Sequence, residues 1–368
     1  MKRHIAVLLL LAAVFAAFPV SALADGDAPN TSAEAVVLIE AKTGKVLFEK
    51  NADEHMLIAS TTKIMTALVV LENCDVDEEL QILPEYTAVE GSSMYLKAGE
   101  TLTVRDLLYG LLLASGNDAA VALACHTAGS VSKFAAMMNK KAAELGLKNT
   151  SFKNPNGLDE EGHYSSASDM GVIMSAAMEN EEFAEIAGTK TAVVGERTFT
   201  NHNKLLWDCP DVVAGKTGYT KSAGRTLVSC AERDGMRLIC VTLSDPCDWA
   251  DHAALYEWGF STSKLESTAD SEEDYAIIPV ISGTAASVAV RPAKTLTFTL
   301  KSGETFSSRA YLPRFVYADV LCGERAGYVV YSINGENIAV VDLLYTDTVQ
   351  RDESLKLTLF ERITRLFD

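Results

Sequence analysis

Ser60 and Lys63, three residues apart at the head of the apolar run 64–71, form a pair whose types and spacing could do chemistry. Three steps along a helix bring two side chains to one face with Cβ atoms ~5–6 Å apart, so an ε-amine can reach a hydroxyl. A serine needs a base to become nucleophilic near neutral pH, and lysine serves only when uncharged. Burial and nearby positive charge are the usual means of lowering its pKa. The position points the same way. With Ser60 as the helix start, a cation in the first turn faces the positive end of the macrodipole and costs roughly 0.3–1 kcal/mol, where Glu or Gln would complete a capping box. The misplaced cation then reads as a tuned base.

Two further triplets follow. Ser115-Gly116-Asn117 separates two helical patterns, and Lys216-Thr217-Gly218 lies in a strand-like run. Singly, none of the three motifs is informative. S-x-x-K recurs at Ser130 and Lys133 and at Ser261 and Lys264, Ser332-Ile333-Asn334 imitates the second triplet inside a hairpin turn, and Lys42-Thr43-Gly44 repeats the third as a plain turn. As an ordered set, at a helix start, an inter-helix break and a strand, they are informative.

The elements that must position these residues can be read from periodicity. Residues 35–50 alternate on both sides of Thr43-Gly44, which predicts two strands and a tight turn. Helices are expected from Ser60 to about 72, over 104–114, from a cap at Asn117 or Asp118 to about 127, over 130–145 and over 167–178. Three strands within 211–244 and a closing helix over 250–258 follow. Strands at both ends of a helix-rich middle predict an α+β domain whose sheet is assembled from distant parts of the sequence. Residues 261–274 are polar and acidic and read as a linker. Short alternating segments then predict a small all-β domain, with Asn334-Gly335 a strong hairpin signal. At the end of the chain, 355–367 places its apolar residues on one arc, the pattern of an amphipathic helix and a possible interfacial membrane anchor.

In this setting the sequence resembles the penicillin-recognising serine acyltransferases, and within them the low-molecular-weight D-alanyl-D-alanine carboxypeptidases. The likeness extends to "VLIEAKTGKVLFEKNADE", "YLKAGETLTVRDLLYGLLLASGNDAAVALA", "NPNGLDEEGHYSSASDM", "NHNKLLW" and "AGKTGYTKSAGRTLV". It implies a β-lactamase/transpeptidase-like catalytic domain, an antiparallel sheet flanked by helices, with no metal or organic cofactor. Ser60 would attack the carbonyl between two terminal D-alanines of a peptidoglycan stem peptide, with Lys63 as base and Ser115 as proton relay. Asn117 would hold the substrate amide and Lys63, and Lys216 and Thr217 would bind the terminal carboxylate. Gly218 would let the strand approach the substrate, and the backbone N–H groups of Ser60 and Tyr219 would form the oxyanion hole. β-Lactams would acylate the same serine. Tyr219 stands where some relatives have histidine, and "LSDPCDWADHAA" lacks the arginine that in some relatives assists the carboxylate, so Lys216 and Thr217 would carry more of that contact. The nearest enzymatic alternative is a β-lactamase of the same fold. "ELGLKN" (144–149) approaches the glutamate loop of class A enzymes, but has Lys148 where asparagine belongs and lies in a predicted helix. A wall-binding protein without catalysis is the alternative from another class.

The domain reading is a signal peptide over 1–24, a serine carboxypeptidase domain over 25–262, a β-rich domain over 263–350 and an amphipathic helix over 351–368. The leader has a basic start, an apolar stretch and a small-x-small site at Ala22-Leu23-Ala24, so export is expected. The net charge of −18 disfavours nucleic acid as a partner. Seven cysteines without C-x-x-C spacing and six scattered histidines indicate neither a zinc site nor a complete disulfide framework.

Overall fold

The computed structural model describes residues 28–355, so the leader expected over 1–24 and most of the helix expected over 351–368 lie outside the described residues. Strand β1 (Ala35–Glu40) returns as β2 (Val46–Lys50) through a turn in which Gly44 takes φ +70°. A 3-10 turn (Ala59–Thr62) leads into α1 (Lys63–Leu71). The short strands β3 (Glu79–Gln81) and β4 (Thr101–Thr103) precede α2 (Val104–Leu112), α3 (Asn117–Ala128), α4 (Val131–Glu144), α5 (Ala167–Met178) and α6 (Glu181–Gly188). A hairpin of β5 (Thr191–Val194) and β6 (Arg197–Thr200) and a single turn, α7 (Leu205–Asp208), were not anticipated from periodicity. Strands β7 (Val212–Thr220), β8 (Gly224–Arg233) and β9 (Met236–Leu243) and helix α8 (Asp248–Thr262) follow.

The central antiparallel sheet runs β2-β1-β9-β8-β7, so the first and last strands of this unit pair side by side, as the α+β reading requires. Strand β1 is buried along its whole length because both of its faces are covered. Successive side chains point to opposite faces: Ala35, Val37 and Ile39 enter the larger core, with helices α1–α6, while Val36 and Leu38 enter the smaller one under α8. Strand β7 is left at the edge beside the helices, which brings Lys216-Thr217-Gly218 next to the Ser60 turn.

Local signals set several helix ends. Thr103 and Asp106 form a reciprocal capping box at α2, and Ser130 caps α4. The caps expected at the site do not form. Helix α1 starts without a side-chain cap, and α3 is preceded by Gly116 rather than capped by Asn117 or Asp118, because those side chains are bonded across the site.

Beyond α8, Ser263–Ser267, read from composition as linker, is strand β10, paired with β13 (Thr297–Lys301). Lys264 and Ser267 of β10 meet solvent while its backbone is paired, so composition alone misleads. The ribbon is fastened to the first hairpin, where Thr43 Oγ1 lies 2.6 Å from Thr299 Oγ1 and Lys45 pairs with Glu304 at 2.9 Å. Strands β11 (Ala276–Ile281), β12 (Ser287–Pro292), β14 (Phe306–Tyr311), β15 (Val316–Tyr317), β16 (Arg325–Ile333) and β17 (Glu336–Tyr345) form a second sheet, ordered β14-β16-β17-β12-β11-β15. Asn334 and Gly335 both have positive φ in the two-residue turn joining β16 to β17, the conformation that their types favour. At the end of the described chain Arg351 bridges to Gly283 and Glu353–Leu355 form a 3-10 turn, so no α-helix begins at 351.

Candidate active site

The turn that carries Ser60 is held in a conformation that its sequence would not choose. Ala59 takes φ +46°, costly for a residue with a Cβ, and Ser60 follows inside the 3-10 turn. Ser60 Oγ lies 2.9 Å from Lys63 Nζ. Lys63 is completely buried, and Nζ also lies 2.7 Å from Asn117 Oδ1 and 2.6 Å from the carbonyl of Asn156. The Asn117 amide is oriented because its Nδ2 donates to Glu90 O at 2.6 Å, which leaves Oδ1 for the lysine. Amide and carbonyl oxygens can only accept. As an ammonium Lys63 donates to all three oxygens; in its uncharged form it would have two N–H groups for the two carbonyl-type oxygens and one lone pair left to accept from the serine hydroxyl. Burial, and next the charge of Lys216, lower the Lys63 pKa well below its ordinary value, while Asp118 opposes the shift. Burial and a second ammonium, rather than the helix terminus alone, thus favour the base form.

Ser115, with φ +58°, places its hydroxyl beside Lys216. Lys216 Nζ donates to Ser115 Oγ at 3.0 Å and to Thr217 O at 2.8 Å, and burial lowers its pKa to about 7. Ser60, Ser115, Thr217, Gly218 and Tyr219 line one cleft, with Tyr219 on its open rim. A Cβ on Gly218 would stand 2.9 Å from Ser60 N and 2.4 Å from Thr226 Oγ1, so glycine keeps the space before the nucleophile's amide clear.

Three further contributions were not read as such from the sequence. The loop Asn154-Pro155-Asn156-Gly157 supplies the Asn156 carbonyl, and a second carbonyl, Pro155 O, accepts from Thr66 Oγ1 at 2.6 Å on the next turn of α1. His163 is buried behind the nucleophile turn instead of facing the cleft. Its Nδ1 accepts from Lys153 N at 3.1 Å and burial lowers its pKa to about 4, so the neutral ring donates from Nε2 to Thr62 Oγ1 at 2.9 Å. Arg225 lines the cleft although no arginine follows β9 where some relatives have one. It is opposite Tyr219 across the β7–β8 pair, and Asp248 grips Nε and Nη2 at 3.1 and 2.6 Å while Trp249 lies under the guanidinium. Arg225 stands in "AGRTLV" on β8, the strand paired with β9.

The glutamate alternative fails on position. Helix α4 ends at Glu144, so "ELGLKN" leaves the helix rather than lying within it, and the Glu144 carboxylate pairs with Lys140 and Lys141 at 3.3 and 3.4 Å, away from the cleft.

A hydroxyl backed by a buried amine of lowered pKa, a second lysine beside a serine hydroxyl, and an open edge strand suit acyl transfer from a substrate carrying a carboxylate. Relatives carry the same assignment. DacF of Bacillus subtilis, a D-alanyl-D-alanine carboxypeptidase, is 35% identical over 92% of this chain and 92% of its own. The D-alanyl-D-alanine carboxypeptidase DacC of Escherichia coli is 33% identical over 88% of this chain and 86% of its own. The crystal structure of penicillin-binding protein 5 from Haemophilus influenzae superposes with a TM-score of 0.73 at 31% identity, over 88% of this chain and 99% of that one. The peptidase S11 profile, described as D-alanyl-D-alanine carboxypeptidase, matches residues 23–247. With the profile spanning more than half of its length and relatives matching nearly all of it, the chain belongs to the D-alanyl-D-alanine carboxypeptidases, serine hydrolases of the penicillin-binding class.

Proposed function

We propose that Ser60 is the nucleophile of this carboxypeptidase and Lys63 its base, and the single observation that supports this most is the set of three oxygens around Lys63 Nζ. Ser60 Oγ attacks the carbonyl between the terminal D-alanines as its proton passes to Lys63. The C–N bond breaks and the leaving amine takes the proton back from Lys63 through Ser115, whose hydroxyl Lys216 holds. Free D-alanine departs, and water then cleaves the ester and restores the serine. A β-lactam enters the same ester, but its leaving nitrogen stays tethered. Lys216 and Thr217 bind the substrate carboxylate, Asn117 its amide, and the N–H groups of Ser60 and Tyr219 the oxyanion.

Arg225 adds a further cation to the carboxylate end of this reading. Arg225 is pre-oriented by Asp248 and uses Nε and Nη2 in that grip, which leaves its Nη1 edge for a ligand in the cleft. The test is release of D-alanine from a pentapeptide ending in D-Ala-D-Ala, together with retention of a fluorescent penicillin. The protein releases D-alanine and holds the label, whereas rapid turnover of the drug would replace this reading by a β-lactamase. In the same assay Arg225→Ala raises KM about tenfold with a smaller change in kcat, the pattern of a lost ground-state contact. An unchanged KM would remove Arg225 from carboxylate binding.

We also keep the division into a catalytic unit (25–262) and a β-rich unit (263–350), the latter holding the former away from a membrane surface. Export through 1–24 and a peripheral membrane contact through 351–368 belong to the same reading. Among the described residues no helix is long and apolar enough to cross a membrane. Truncation of 355–368 shifts the protein from the membrane to the soluble fraction with D-alanine release intact; unchanged fractionation would remove the anchor.

A further inference from the structure

The loop leaving α1 carries Glu72, Asp75, Asp77, Glu78 and Glu79 within eight positions, and Cys74 in their midst. Lys141 answers Glu72 at 2.6 Å and Arg105 approaches Asp77 at 3.4 Å, but the loop as a whole stays strongly negative. His126, in the last turn of α3, projects toward it. The Cys74 sulfur, a Glu78 carboxylate oxygen and a His126 ring nitrogen all lie within 4.8 Å of one another.

The spacing of His126 and Glu78 fits two ligands of one ion. His126 Nε2 lies 3.3 Å from Glu78 Oε1, longer than the ~2.7–2.9 Å of a charge-assisted hydrogen bond. It matches the edge of about 3.3 Å between nitrogen and oxygen ligands each ~2.0–2.1 Å from a tetrahedral zinc ion. Cys74 Sγ is 3.3 Å from Thr127 Oγ1, whose own proton goes to Leu123 O at 2.8 Å, so the thiol proton makes the contact to Thr127. A cation bound here takes the sulfur as thiolate, and the thiol proton leaves to solvent.

We propose that Cys74, Glu78 and His126 form a structural site for a divalent transition-metal ion of the zinc type, with solvent as the fourth ligand. Sulfur, imidazole and carboxylate together suit a borderline-soft ion, not calcium or magnesium, which favour all-oxygen shells. The position gives the ion a purpose. Helix α1 starts at Lys63 and α3 at Asn117, while Cys74 follows the end of α1 and His126 lies in the final turn of α3. The ion would clamp the far ends of the two helices whose first residues meet at the site, and both helix C-termini favour positive charge. Sequence spacing hides this set because His126 is distant from Cys74 and Glu78 in the chain and adjacent only after α1 and α3 pack.

The test uses the full chain, reduced and stripped of metal, with Co²⁺ as probe. One equivalent is expected to give tetrahedral visible bands and a thiolate-to-cobalt charge-transfer band in the near ultraviolet, both abolished by Zn²⁺. Cys74→Ser loses the charge-transfer band. Glu78→Gln and His126→Gln, at solvent-reachable positions, weaken Co²⁺ binding by roughly tenfold or more while penicillin labelling, which reports the fold, is retained. Zn²⁺ raises the Tm of the parent protein but not of Cys74→Ser. A parent protein without the charge-transfer band overturns the proposal. So does an undiminished band in Cys74→Ser, which would assign it to an exposed thiol such as Cys247 or Cys322, or unweakened binding in both glutamine variants.

Discussion

Ser60→Ala abolishes covalent labelling by a fluorescent penicillin and D-alanine release together, and Lys63→Met reduces the acylation rate by about 10²–10⁴-fold while the serine remains. The difference follows from the geometry. Without Oγ there is no atom to form the ester; without Nζ the hydroxyl remains but has no acceptor for its proton, and Asn117 Oδ1 and Asn156 O lose their buried donor. The pH dependence has a definite sign. Lys63 is charged below its lowered pKa, so acylation falls as pH drops through that value. Lys216 must be charged to attract a carboxylate and loses its proton near pH 7 in the free protein, so kcat/KM falls again on the alkaline side. A bound carboxylate stabilises the Lys216 ammonium, which places the alkaline limb of kcat at higher pH than that of kcat/KM. The two ammonium groups interact, so these limbs belong to the pair. Persistent labelling of Ser60→Ala would discard the nucleophile, and a kcat/KM that climbs as pH falls below the acid limb would discard the base.

Gly157→Ala is expected to lower stability by about 2 kcal/mol or more and to slow acylation by roughly 10²-fold, although residue 157 contributes no side chain to the chemistry. Gly157 takes φ +84°, and a Cβ there would lie 1.9 Å from Ala59 O and 2.4 Å from Ala59 C. Neither partner can yield by rotating a side chain, because Ala59 is backbone in a turn already at φ +46°. Relief requires the two loops to separate, and that carries the Asn156 carbonyl away from Lys63 and the Ser60 turn away from Gly218. Gly146→Ala is the control. Gly146 also has positive φ, +73°, but nothing lies within 4 Å of its Cβ, so this variant carries the conformational cost without the collision. Denaturant melts and single-turnover acylation by penicillin measure both effects. Equal acylation rates in the two variants would show that the contact between residues 157 and 59 does not position the site.

Much of this protein could be read from the chain because the signals are local. Alternation in 35–50, the Asn334-Gly335 turn and the apolar period of 167–178 each depend on neighbours a few residues away, and each appears where it was expected. The identities of Ser60, Lys63, Ser115, Asn117 and Lys216 were likewise legible, since a reacting group is a residue type. That they meet was implied by the resemblance, but the atoms that hold them there were not legible. A carbonyl oxygen has no letter of its own, so Asn156 O could not be named as a Lys63 partner, and the cap expected from Asn117 or Asp118 does not form because Asn117 holds the lysine, as the resemblance implied. The same holds for Arg225, which reaches the cleft only because β8 pairs with β7, for β10, whose polar sequence hides a paired backbone, and for His126 beside Cys74. The sequence by itself determined which groups could react and which segments would coil or extend. The tertiary structure decided which of them touch and which lose their water, and the uncharged state of Lys63 belongs to that second class because desolvation is a property of everything packed around an atom.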